Sequence, residues 1–132
     1  MKTFQVKTDR RTQLVDVTDR VARIVADSGV SSGVCYVFVP HTTAAVTMNE
    51  HFDPDVATDV EGAFDRLIPQ KGPYRHAEGN SDSHMKAILV GASATIFVEN
   101  GKLALGRWQG VFFCEFDGPR DRQMQVKVVA GS

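Results

Sequence analysis

One Asn-Gly pair limits the fold of this chain more than any other feature. Asn100-Gly101 follows the β-branched run at residues 94–98 and precedes a second apolar run at residues 108–116. Asn and Gly both tolerate the positive φ that a tight hairpin turn requires. Such a turn reverses the chain and pairs its strands antiparallel. Helical patterns are interspersed with the strands, so the expected class is α+β: a largely antiparallel sheet packed with about three helices.

Residues 3–7 alternate, with Phe4 and Val6 on one face, which predicts a half-buried strand. Further strands are expected at residues 14–17, 44–48 and 124–129. Residues 33–39 are apolar on both faces, which predicts a strand buried on both sides. Thr18 or Asp19 caps a first helix with the stripe Val21, Ile24 and Val25, stopped at Gly29. Asp53 and Pro54 open a second helix, marked by Val56, Val60, Phe64 and Leu67 and ended by Pro69. Ser81 or Asp82 caps a third, with Met85, Ile88 and Leu89 expected on its buried side. There is no repeat or linker, so residues 1–132 are expected to form a single compact domain.

Charge and hydropathy exclude some functions. Fifteen basic residues against 16 acidic ones give a net charge of −1. That balance lacks the basic field of a nucleic-acid binder. No apolar run approaches the length of a membrane span. The N-terminus alternates polar and apolar residues and lacks the apolar core of a signal peptide. A cytoplasmic protein is expected, with no nucleic acid and no membrane among its partners. Cys35 and Cys114 lie in apolar runs and read as reduced, buried strand residues.

All four histidines fall between His41 and His84. Imidazole binds metals and moves protons near neutral pH. His41-Thr42-Thr43 stands just past a strand, with His41 and Thr43 on one face if the chain stays extended. The segment HAEGNSDSH, from His76 to His84, leads into the third helix. The positive end of that helix disfavours imidazolium at His84, and its free N–H groups suit an anion. His76 and Glu78 share a face in an extended loop and are donor types suited to a divalent ion. On the strand at residues 108–116, Val111, Phe113, Glu115 and Asp117 share one face. Phe112, Cys114 and Phe116 share the other. A carboxylate behind two apolar neighbours needs a partner if it is buried. His51, beside Glu50, reads as a surface loop residue.

These patterns give three sets of candidates. His41, His84 and Glu115 are candidate catalytic groups. Thr42, Thr43, Asn80, Ser81, Ser83 and Lys86 are candidate ligand-binding groups. His41, His76 and His84 are candidate ligands of a divalent metal ion, zinc or magnesium. Free N–H groups at the start of the third helix suit an anionic ligand.

The segments HTTAAVTMNE, YRHAEGNSDSHMKA, VENGKLALGRWQG and FFCEFDGPR occur in order along the chain. In this the chain resembles the YjbQ-like family of small bacterial and archaeal proteins, sometimes named secondary thiamine-phosphate synthase. The resemblance implies a compact α+β domain and a homotrimer. It also implies a polar site built from the His41 segment, the His76–His84 segment and the strand reaching Glu115. The activity implied is the joining of a pyrimidine pyrophosphate to a thiazole phosphate. Two alternatives stand beside it: a metal-dependent hydrolase of a small phosphorylated metabolite, and a non-catalytic trimeric metabolite-binding protein. Many family members carry a basic run after Gly-Pro, where this chain has Arg120-Asp121-Arg122.

Overall fold

The computed structural model describes every residue, Met1–Ser132. The elements run β1 (Lys2–Lys7), β2 (Gln13–Asp16), α1 (Thr18–Asp27), β3 (Gly33–Phe38), β4 (Ala44–Glu50), α2 (Pro54–Leu67), α3 (Ser81–Val90), β5 (Ser93–Glu99), β6 (Lys102–Leu103), β7 (Gln109–Glu115) and β8 (Asp121–Ala130). They form a five-stranded sheet in the order β1-β8-β3-β5-β6 and a three-stranded sheet in the order β2-β7-β4. Every pairing is antiparallel. The α+β class and the count of three helices expected from the sequence are what the fold contains.

The Asn-Gly turn joins β5 to β6. Asn100 has φ 53° and Gly101 φ 72°, the paired positive values of a type I′ hairpin. At the start of α2, the Asp53 side chain accepts a hydrogen bond from the Asp55 amide, with Pro54 in the first turn. At α1 the cap position belongs to Val17, one residue before the expected Thr18. Thr18 turns its hydroxyl to the Val111 amide instead, 2.9 Å away, and so ties the helix to β7.

Two apolar clusters lie on opposite faces of the three-stranded sheet. One contains Val111 and Phe113 of β7 and Ala44 and Val46 of β4. These pack on Val6, Cys35, Val37, Ile96, Val98, Met124 and Val126 of the other sheet and on Val21 and Val25 of α1. The second contains Ala45, Phe112, Cys114, Phe116 and Ala87, with Phe64 of α2 and Val90 of α3 packed against it. The strand buried on both faces is therefore β7, where every residue after Gln109 is buried.

Two expectations are corrected here. The β3 segment is not covered on both sides, because its sheet has only one packed face: Tyr36 and Phe38 point outward, about half exposed. Helix α3 is turned about its axis relative to the expectation. Met85, Ile88 and Leu89 face out, and Asp82, Ser83, Lys86 and Ala87 face in. The reason is electrostatic. Lys86 Nζ sits 2.9 Å from Asp82 and 3.0 Å from Asp65, and Arg11 reaches Asp82 at 3.0 Å. Buried charges are tolerated only when paired in this way.

Candidate functional site

The polar centre lies where both sheets end. Glu115 closes β7 and is completely buried. Thr8 Oγ1 donates to its Oε1 at 2.8 Å, and the Asp117 amide donates to its Oε2 at 3.0 Å. Arg122, from β8 in the other sheet, donates through Nε to Oε1 at 2.8 Å and through Nη2 to Oε2. The same Nη2 also reaches Thr43 Oγ1 at 2.8 Å. A carboxylate in receipt of four donors is fully satisfied. Glu115 is therefore neither a solvated strand end nor a free base. It holds the Arg122 guanidinium through a two-point contact.

Backbone and side-chain hydrogen bonds stitch the three expected segments together. The Phe116 amide donates to the Thr43 carbonyl at 3.2 Å. Ser83 Oγ donates to the Phe116 carbonyl. Asn80 Nδ2 donates to Asp117 Oδ2 at 2.9 Å. The His41 loop, the start of α3 and the end of β7 are thus one structural unit.

Within that unit the candidates differ. His41 is half-buried, and its Nε2 accepts a bond from the Gln123 amide at 2.9 Å. In the neutral ring the proton then sits on Nδ1, so His41 offers a donor rather than a basic lone pair. Burial and then the neighbouring Arg122 guanidinium hold its imidazole below the ordinary value, and Glu115 only partly opposes them. A role as general base does not fit this arrangement. Lys86 is 1% exposed and locked between two carboxylates, so it presents no ammonium to a ligand. Ser83 is wholly buried and occupied by Phe116. Lys86, a candidate ligand-binding group, is thus engaged by Asp65 and Asp82, and Ser83, another, by the Phe116 carbonyl.

What remains accessible is concentrated at the start of α3. His76 and His84 meet edge to face with ring centroids 5.5 Å apart. His76 Nε2 lies 3.6 Å from Glu78. Asn80 occupies the cap position without making a cap hydrogen bond, so the first amides of the helix have no side-chain acceptor. Asn80 Oδ1 is buried and unpartnered. Thr42 is exposed, and Ser81 is half-buried. No group of three or more His, Cys, Asp or Glu side chains comes together to hold a metal ion. His41 Nε2 is taken up by the Gln123 amide of β8, while His76 and His84 stand ring to ring at the start of α3.

Sequence reasoning gave no site role to Arg122, Asp117, Thr8 or Arg11. Asp117 accepts from Asn80 and Arg120, and Arg11 approaches it at 3.4 Å. Burial alone would raise the Asp117 carboxyl, but Asn80, Arg120 and Arg11 outweigh it and hold the group below the ordinary carboxylate value. One signal could have found Arg122. It shares the alternating face of β8 with Met124 and Val126, and all three are buried.

Fold and site together define a class: small α+β domains in which two antiparallel sheets meet at a buried ionic centre beside an open helix start. The chain belongs to the YjbQ-like UPF0047 family, whose model matches residues 2–131. It is 46% identical over 130 residues to the UPF0047 protein YugU of Bacillus subtilis, covering 98% of each chain. It is 38% identical over 103 residues to the YjbQ protein of Escherichia coli O157:H7, covering 75% of each. Among solved structures, a YjbQ/UPF0047 family protein of Clostridium acetobutylicum superposes with a TM-score of 0.96 at 50% identity, covering 98% of this chain and 100% of that one. A protein of Sulfolobus solfataricus described as of unknown function superposes with a TM-score of 0.94 at 34% identity, covering 98% and 96%. No helix is long and apolar enough to cross a membrane.

Proposed function

We propose that the chain is a small cytoplasmic enzyme of the thiamine-phosphate-synthase-like type, acting on a small phosphorylated metabolite at the start of α3. In this reading a pyrimidine pyrophosphate is joined to a thiazole phosphate and pyrophosphate leaves. The protein must then stabilise the charge that develops on the leaving group.

One observation carries the reading. Helix α3 opens with its cap unmade, flanked by the paired rings of His76 and His84 and by the orphaned, buried Asn80 Oδ1. Uncapped amides at a helix start favour a phosphate group, and imidazole N–H groups add donors. The Asn80 oxygen calls for a ligand or water that donates a hydrogen bond. Arg122, held by Glu115 and reaching Thr43, fixes the neighbouring loop. The Nδ1–H of His41 is a further donor beside it. Within one chain no three His, Cys, Asp or Glu side chains converge on a zinc or magnesium ion.

The reading includes a homotrimer. Tyr36, Phe38, Phe97 and Val129 on the outer sheet face, with Met85 and Ile88 on α3, are large apolar side chains left in solvent. Apolar surface of this kind marks association, and the number three rests on the family resemblance. Light scattering that gives three chain masses supports it, and one chain mass removes it.

The decisive experiment is a coupled pyrophosphate-release assay with both substrates and with each alone. Release only with both, falling at least about 100-fold in His84→Asn and His76→Asn at unchanged melting temperature, supports the synthase reading. Release from one substrate alone identifies a hydrolase. Saturable pyrophosphate binding without turnover identifies a binding protein.

A further inference from the structure

A second concave feature lies on the far side of the three-stranded sheet, under α2. A cavity of about 300 Å³ is lined mainly by Leu14, Val56, Val60, Phe64, Phe112 and Cys114. It adjoins a polar cavity of about 270 Å³, and the two share Leu14, Glu50, Ala57 and Phe112. Together they form one cleft, apolar at one end and charged at the other. Its size falls in the range of small-ligand sites, ~300–1,000 Å³. The only buried residue of α2 is Glu61, so the helix covers the cleft without filling it.

The charged end is acidic and uncompensated. Arg10 is neutralised by its two-point contact with Glu61, at 3.0 and 3.3 Å. Asp16, Glu50 and Asp53 line the same end, and none pairs with a lysine or arginine. Glu50 and Asp53 accept only single backbone amides, at 2.9 Å each. Burial disfavours the ionised Asp16, but the Thr18 hydroxyl and amide and the His51 ring outweigh it.

His51 is pinned at this end. Its Nδ1 donates to Asp16 Oδ2 at 2.9 Å, which leaves Nε2 with the lone pair. Its ring lies against the bare Cα of Gly110, where any Cβ would collide with it. Phe52 meets the ring edge to face at 4.7 Å. A surface loop histidine needs none of these three restraints.

We propose that this cleft binds a small molecule with an apolar body and a protonated amine. The body fills the space under α2. The amine sits among Asp16, Glu50 and Asp53 and donates to His51 Nε2. Charge complementarity selects this occupant: an anion would meet three carboxylates there, and a wholly apolar molecule would cover Glu50 and Asp53, which hold one backbone amide each, without supplying a donor.

The test is an NMR titration of the ¹⁵N-labelled full chain with 2-phenylethylamine, and with 3-phenylpropionate as the charge-reversed control. Saturable shifts confined to β2, α2 and β7 are expected for the amine, with the carboxylate at least about tenfold weaker. Asp16→Asn removes a charge, and Gly110→Ala displaces the His51 ring. Each should weaken the amine by about tenfold while the spectrum stays folded. Asp16→Asn alone keeps the test valid if Gly110→Ala fails to fold. Equal binding of both probes, or no saturable shift with either, overturns the proposal. None of these outcomes bears on the site at α3.

Discussion

Arg122 and Glu115 come from different sheets and meet through a two-point contact, with Nε 2.8 Å from Oε1 and Nη2 on Oε2. The pair fastens the end of β7 to the start of β8. Both residues are shielded from water. Removing one member of such a pair strands the other in a low-dielectric interior. Glu115→Gln is expected to cost about 3–5 kcal/mol in urea unfolding. The double replacement Glu115→Met with Arg122→Met should recover much of that loss. A stability unchanged within about 0.5 kcal/mol in Glu115→Gln would show that the pair fastens nothing.

Lys86→Met separates a structural lysine from a phosphate-binding one. Asp82 would keep Arg11 but lose its nearest cation. A loss of about 3 kcal/mol in stability is expected, with pyrophosphate affinity unchanged. A drop in affinity at unchanged stability would restore Lys86 to the site.

His41 gives a pH dependence with a definite sign. Its folded pKa lies below the unfolded value of about 6.5, so the unfolded chain binds the proton more readily. The stability His41 contributes is full above about pH 6.5 and is lost as pH falls through the lower folded value. NMR titration of the ring should place its midpoint below that of an unfolded reference peptide. A midpoint at or above the reference would remove the effect.

The cysteines should be inert in the folded protein. Burial pushes the Cys35 thiol up to about 11. Burial, with Glu61 adding, pushes the Cys114 thiol up to about 12. Both are free. Thiolate is the reactive form, so iodoacetamide at pH 8 should label neither until denaturant is added. Rapid native labelling of either would place that thiol at the surface.

The sequence made the fold legible wherever a pattern repeats. Alternation placed Val111 and Phe113 opposite Phe112 and Cys114, and those pairs divide between the two apolar clusters. Asn100-Gly101 marked its hairpin because its backbone conformation is local. Helix α3 misled because its apolar stripe is real but points outward. The partners that pull Asp82 and Lys86 inward, Arg11 and Asp65, are distant in sequence. The site was legible as three segments and not as roles. That Glu115 is saturated depends on Thr8 and Arg122, and that His41 is a donor depends on Gln123. No spacing rule reports such contacts.

Because β7 serves both apolar clusters, neither can loosen alone. A change at Phe113 shifts a strand whose next residues, Phe112 and Cys114, anchor the helices on the other side. The sheet pair and the helix layer are thereby joined into a single cooperative unit. The central amides of β7 should exchange with deuterium only when the whole molecule opens, at a rate set by global stability. Amides of α2, with one buried residue, should exchange through smaller local openings.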